Sequence, residues 1–438
     1  YFSAFSNIIS FVNKLSNKYN LNIDINLYVD IITKYVINNS IYFIQNVINF
    51  ITKMMFAAVT VIMAACSSDD NATQALTVQV KVSMPEGFKS DILYTGHTVT
   101  MGKYTAITNE KGIATFEGVI PDLYDISTSC EITAEEYEEM TGNDPQNENY
   151  VISGSLLKYT VGSSTTIELQ TSISAKQSIV ISKVYYAGTK DNNNKNYLAG
   201  KYIEFFNNSD QTVDIAGLYF GLVESESTPA YTLGSTPEYI YLKQIYRFPS
   251  NGVTEVAPGA SIIVANSAID HTGNNEVDLS KADFEAKDTQ GKTTNNPATP
   301  AVELIYTTFP TISNMNLVQG GPCSVVLFST DEDVTSWETV YVDGKDKGSK
   351  FVKTPVKYIM DGVECLKNKS TGVDKNSKRL YNYIDAGYQY TEATTGYTGE
   401  VVYRKTAKTE NGRTILADTN NSSNDFAVSA EIKPREYK

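Results

Sequence analysis

Alternation governs the chain from residue 76 onward. Leu76, Val78, Val80 and Val82 recur at every second position of "LTVQVKVS", the period that sets side chains on one face of a strand. "HTVTM" predicts a second strand. In "YTAITNEKGIATFEGVIPDLYDIS", Asn109 to Gly112 marks a turn, with Ala114 and Phe116 facing one way and Ile113 and Thr115 the other. Beyond residue 177 the habit continues. "QSIVISKVYYAG", "KYIEFFNNSDQTVDIAGLYFGL" and "VAPGASIIVA" read as strands, Ile203 and Phe205 sharing one face and Tyr202, Glu204 and Phe206 the other. One helix stands out, "TAEEYEEMTG" at 133–142, with Thr133 as its N-cap and Glu135 and Glu136 in the first turn. Thr, Val, Ile and Tyr fill short runs separated by Gly, Asn, Asp and Pro. The expected fold class is therefore all-β, with two β-sandwich domains over 75–172 and 177–438.

The start of the chain follows another rule. Residues 1–53 contain no Gly, Pro, Glu, Arg, His, Cys or Met, a restriction to AT-rich codons. They read as upstream read-through or a leader outside the mature fold, although "IITKYVINNSIYFIQNVINFI" could form an amphipathic helix. No run of about 18 residues there is apolar enough to span a bilayer. Next comes a positive flank at Lys53, the apolar run "MMFAAVTVIM", and then Ala64, Ala65 and Cys66, a signal peptide over 54–65. The chain turns polar at once in "CSSDDNATQ", a tether over 66–74.

This arrangement resembles a bacterial lipoprotein lipobox. The resemblance implies that Cys66 is lipidated and becomes the first residue of the mature chain. The acidic residues just after it resemble the export signal of Bacteroides-type surface lipoproteins, which implies an outer-membrane location facing the exterior. Acyl chains would hold such a protein to the bilayer without a spanning segment.

Charge and cysteine usage narrow the partners. Residues 1–65 carry four Lys and two Asp, so the remainder has a net charge near −16, against −14 for the whole chain. No Lys/Arg-rich run interrupts it, which argues against nucleic acid as a partner. Cys130, Cys323 and Cys365 allow at most one internal disulfide, and only Cys323 and Cys365 share a proposed domain. The fold must rest on its core.

The order Thr-Asn-x-x-Gly-x-Ala-x-Phe from Thr108, followed by Leu123-Tyr124 and Ile126, resembles the carboxypeptidase-regulatory-like, transthyretin-type sandwich. That resemblance implies a spacer or stalk. In the second domain Glu204, Asn207, Asn208, Val213-Asp214-Ile215, Gly217 and Pro258-Gly259 resemble the lamin-tail domain, an immunoglobulin-like sandwich. Asp418, Asn420, Asn421, Asp425 and Phe426 match the ending of its bacterial members. Leu218 departs from the aromatic often found there, and 267–300 and 331–400 read as insertions. The mature chain as a whole resembles a family of Bacteroides-type surface lipoproteins of unknown function. The resemblance implies company with a TonB-dependent outer-membrane transporter and a non-enzymatic role as a binding or accessory component.

Motifs for chemistry are sparse. There is no His-Glu-x-x-His, Cys-x-x-Cys, Gly-x-Ser-x-Gly or phosphate-binding Gly-rich loop, and no cofactor is called for. A Ser-His-Asp triad needs no adjacency and stays open. "AIDHTGNNEVDLSKADF" holds Asp270, His271, Asp278 and Asp283. Imidazole and carboxylates could ligate a metal and support a hydrolase, or His271 could be a loop histidine hydrogen-bonded to Asp. Tyr381, Tyr383, Tyr388, Tyr390, Tyr397 and Tyr403 crowd one stretch. They could present a ligand or partner surface, or fill ordinary strands. An adhesin or matrix component is a third reading.

Overall fold

The computed structural model describes residues 75–145, 149–225, 238–341, 345–367, 378–392 and 395–437. Cys66, the expected signal peptide and the expected tether lie outside them. The described residues belong to one compact unit, Gln74–Lys438.

The first sandwich follows the alternation. Leu76–Ser83 lies between Ile113–Val119, antiparallel, and Thr165–Gln170, parallel, in a three-stranded sheet. Leu76, Val78, Val80 and Val82 all point inward and are buried. Opposite stands a five-stranded sheet in the order Tyr104–Ile107, Thr98–Met101, Asp122–Ile132, Tyr150–Val161, Ser172–Ala175. The last strand extends this sandwich past the expected end at 172. Asn109 closes its turn by accepting the Lys111 and Ile113 amides at 2.9 and 3.1 Å, while Gly112 takes φ 73°. The helix is Ala134–Thr141, and Thr133 and Glu136 form a reciprocal capping box.

The second sandwich is larger. Among the described residues one sheet has six strands: Phe284–Glu285, Ser261–Ala265, Tyr202–Asn207, Ile179–Tyr185, Val401–Arg404 and Phe426–Ser429. The other has seven: Thr339–Tyr341, Lys350–Pro355, Tyr239–Arg247, Tyr219–Val223, Val325–Phe328 and Ile359–Val363, with Glu303–Thr307 also paired to Tyr239–Arg247. Ile181, Ile203, Phe205, Ile262 and Val264 from the first meet Phe220, Leu222, Tyr246, Val325 and Leu327 from the second. Each such side chain, fully buried, contributes about 1.5–3 kcal/mol. Residues 331–363, expected as part of an insertion, supply three strands to the seven-stranded sheet. Their β-branched runs pair because the sheet edge offers open backbone donors and acceptors.

The outer face of the six-stranded sheet is also buried. Glu204 and Lys183 form an ion pair there at 3.1 Å, both almost fully shielded. The C-terminal segment closes over them. The Arg435 amide donates to both Glu204 oxygens at 3.0 and 3.1 Å, the Tyr437 hydroxyl donates to Glu204, and the Lys183 ammonium lies 3.8 Å from the Tyr437 ring centroid.

The two sandwiches are joined by more than their linker. Ser153 and Ser155 sit buried on Tyr150–Val161, and their small side chains permit close approach. Ser155 Oγ donates to the Ala386 carbonyl, and Asn420 Nδ2 donates to Ser153 Oγ at 3.2 Å. The Tyr388 hydroxyl donates to Asp125 at 2.7 Å.

Candidate functional site

A cleft of about 400 Å³ opens where the sandwiches meet. Two sheet edges form its walls. Ile173, Ser174 and Ala175 belong to the edge strand of the five-stranded sheet, and Ile359 and Met360 begin the edge strand of the seven-stranded one. Tyr358, Tyr383, Lys357 and Gln177 complete the working surface. A second hollow, under the C-terminal segment, measures about 30 Å³, room for about one water.

The rings beside the cleft are held by packing and hydrogen bonds. Tyr358 stacks on Trp337 with centroids 5.8 Å apart and planes 6° from parallel. Glu332 fixes both, accepting from Trp337 Nε1 at 2.9 Å and from the Tyr358 hydroxyl. Those two hydrogen bonds hold the Glu332 carboxyl below its usual range. Tyr383 stacks on Tyr381, centroids 5.4 Å apart and planes 3° from parallel. Lys357 lies over the Tyr358 ring at 4.6 Å and 3.8 Å from Glu332. The surface thus offers flat aromatic faces, an amide, hydroxyls and one cation. These groups suit non-covalent recognition of a ligand with both C–H faces and hydroxyls.

The tyrosine-rich stretch divides among several places. Tyr383 lines the cleft and Tyr381 stacks on it. Tyr388 and Tyr390 stack at 6.0 Å, and Tyr388 serves the junction. Tyr397 takes φ 64° beneath Lys190. Tyr403 sits in Val401–Arg404, opposite Lys183 and Ala427.

The loop that reads either as a metal site or as a hydrogen-bonded histidine is tied into the fold by hydrogen bonds. His271 is fully buried; its Nε2 donates to the Ser267 carbonyl and its Nδ1 accepts from the Tyr197 hydroxyl, each at 2.7 Å. Burial lowers its pKa. Asp270 and Asp278 pair across an isolated bridge, each capping a turn amide, from Thr272 at 2.9 Å and Ser280 at 2.8 Å. Asp283 bonds the Ile263 amide and Arg435. Among the described residues, no three His, Cys, Asp or Glu side chains are grouped to hold a metal ion. Cys323 and Cys365 are buried free thiols on neighbouring segments, the Cys323 amide donating to the Cys365 carbonyl at 2.8 Å.

The residues on which the lamin-tail resemblance rests build scaffold. Asn207 Nδ2 donates to the Gln211 and Val256 carbonyls, each at 2.7 Å. Asn208 exchanges hydrogen bonds with the Leu416 backbone at 3.1 and 2.8 Å. Gly217 and Gly259 take φ 82° and 74°. Trp337, Tyr358 and Glu332 escaped the sequence reading because only Tyr358 lines the cleft and the other two act through it, by a stack and a hydrogen bond that sequence does not show. The single Trp of the chain was the available signal.

Comparison with known proteins bears on the larger part of the chain. Residues 257–432 match the family described as "Protein of unknown function (DUF4876)". The crystal structure of a DUF4876 family protein from Bacteroides thetaiotaomicron VPI-5482 is similar in fold. Its TM-score is 0.54 at 22% sequence identity, over 83% of this chain and 98% of that one. No curated protein matches. Among the described residues no helix is long and apolar enough to cross a membrane.

Proposed function

We propose that this is a lipid-anchored surface protein that binds a small ligand non-enzymatically in the inter-sandwich cleft. It would work alongside a TonB-dependent outer-membrane transporter. The carrying observation is the cleft itself. Its volume, about 400 Å³, falls within the range of about 300–1,000 Å³ usual for small-molecule sites. Its rings are fixed before any ligand arrives, by the Glu332 bonds and the two stacks, so little ordering entropy opposes binding. The lipobox at Cys66 supports the anchor. The buried Asn207–Asn208 turn and the strand order support a lamin-tail-like second sandwich, and the first sandwich carries the transthyretin-type alternation.

A short neutral oligosaccharide is the ligand class that fits these groups, its C–H faces on Tyr383 and its hydroxyls on Gln177 and on Ser329, which also lines the cleft. Trp337 is the only Trp in the chain and stacks on a lining residue. Its fluorescence should therefore shift when a matching oligosaccharide from a panel is titrated. Tyr383→Ala should weaken that titration about tenfold, the loss of one stacking face at about 1.4 kcal/mol, and Tyr397→Ala should leave it unchanged. Equal titrations for Tyr383→Ala and the parent would remove the cleft from the reading. The anchor and the partner share one experiment. Affinity purification from detergent-solubilised membranes after radiolabelled palmitate feeding should recover a labelled chain with a transporter. Cys66→Ala should lose the label, and its persistence would disprove acylation at Cys66; a labelled chain arriving alone would remove the transporter.

A further inference from the structure

One end of the first sandwich carries apolar side chains that no described residue covers. The turn between Ile113–Val119 and Asp122–Ile132 exposes Ile120 by 46% and Leu123 by 53%. Hydrogen bonds stiffen it. The Ile120 amide donates to the Tyr104 hydroxyl at 3.3 Å, the Tyr124 hydroxyl donates to the Ile120 carbonyl at 2.6 Å, and Asp122 caps the Leu123 amide at 2.7 Å. Beside the turn, Lys103 lies over the Tyr104 ring at 5.3 Å. Two aliphatic tips above a tyrosine pair and a lysine have the composition that settles at a bilayer interface.

This is also the end at which the chain enters the fold. Leu76 pairs with Val119, next in sequence to Ile120, and the Thr77 amide donates to Ser164 Oγ in the neighbouring loop. Residues 66–74 are nine in number, a reach of about 30 Å at full extension. An acyl group on Cys66 would keep this end of the sandwich within about 30 Å of lipid. Tethering raises the local concentration of membrane at the turn, so a weak interfacial affinity suffices for steady contact. The other exposed aliphatic on that sheet edge, Ile107, pairs with Thr98 at the far end of its hairpin.

We infer that Ile120 and Leu123 insert into the lipid headgroup boundary and seat the first sandwich on the membrane, an inference that rests on the acyl anchor at Cys66. The sandwich would then stand on the bilayer in a fixed pose. The test uses the full acylated chain, with Cys130→Ser and a single environment-sensitive probe on Ile120→Cys, Leu123→Cys or Val253→Cys. Val253 is 60% exposed on the second sandwich. The protein is mixed with phosphatidylethanolamine–phosphatidylglycerol vesicles and floated.

Probes at 120 and 123 should shift to the blue and be quenched by nitroxide-bearing acyl chains, while the probe at 253 stays unchanged. Flotation with all three probes alike would overturn the seating and leave the anchor intact. No flotation would remove the anchor, and the seating with it. A blue shift that precedes lipid and grows with protein concentration would assign the turn to a second copy, and would also overturn the inference.

Discussion

Arg404→Met is expected to cost about 3–5 kcal/mol of folding stability, read as a lowered urea midpoint. Every guanidinium nitrogen is committed. Nε donates to the Ile181 carbonyl at 2.9 Å, and Nη1 donates to the Ala417 carbonyl and to Asp418, each at 3.0 Å. Nη2 takes both oxygens of Asp361 at 2.9 and 3.0 Å, and Asp425 stands 3.8 Å from Nη1. Met fills the volume and keeps the contact with Phe426, but leaves buried carboxylates facing one another. Lys would not restore the site, because one ammonium cannot span acceptors on three segments.

Acid should partly rescue the Met variant. Burial already pushes the Asp361 and Asp425 carboxyls up to about 6, with the guanidinium opposing the rise. A carboxyl raised in the folded state contributes stability that is full below its unfolded pKa and fades as pH rises through the folded one. Without Arg404 the rise is larger, so the deficit should be smaller near pH 5 than near pH 8. Equal deficits at both would show that the carboxylates are not the source of the loss.

Glu276→Gln should instead flatten the pH dependence of the parent. Burial pushes this carboxyl from 4.5 up to about 7, against the Tyr185 hydrogen bond and the charge of Lys201. Gly200 makes the place possible, because a Cβ there would lie 1.7 Å from Glu276 Oε2. The folded chain therefore holds a proton that the unfolded chain has released. The contribution is complete below about pH 4.5 and is lost on passing about pH 7, a change of about 3 kcal/mol. Gln mimics the neutral acid and has no such loss. Thermal unfolding from about pH 5 to about pH 8 should show a falling Tm in the parent and a flatter one in the variant. Parallel slopes would sink the assignment to Glu276.

Local rules made much of the fold legible. Leu76 to Val82 alternate because one face is core and the other solvent, and Thr133 announced its helix because Ser and Thr satisfy free amides at a first turn. Asn207 and Asn208 showed a structural turn without showing what they bind. The cleft was hidden because its walls come from residues 173–177, 356–360 and 383–384, which meet only after two sheets have formed. The tyrosine stretch misled in part for the same reason. Period and composition cannot tell Tyr383, which faces the cleft, from Tyr388, whose hydroxyl is spent on Asp125. Residues 331–363 read as an insertion because their short strands carry no turn signal that ties them to Tyr239–Arg247, about a hundred positions earlier.

The hold of the final residues on Glu204 has a consequence for biosynthesis. The first sandwich ends at Ala175 and has its whole core early in translation, whereas the second must wait for Arg435 and Tyr437. Synthesis in chain order would therefore leave Glu204 and Lys183 without their cover until the residues around Arg435 and Tyr437 have been made. Loss of the segment around Arg435 and Tyr437 would uncover an acid and an amine on an otherwise shielded sheet face, a defect that quality-control proteases could recognise.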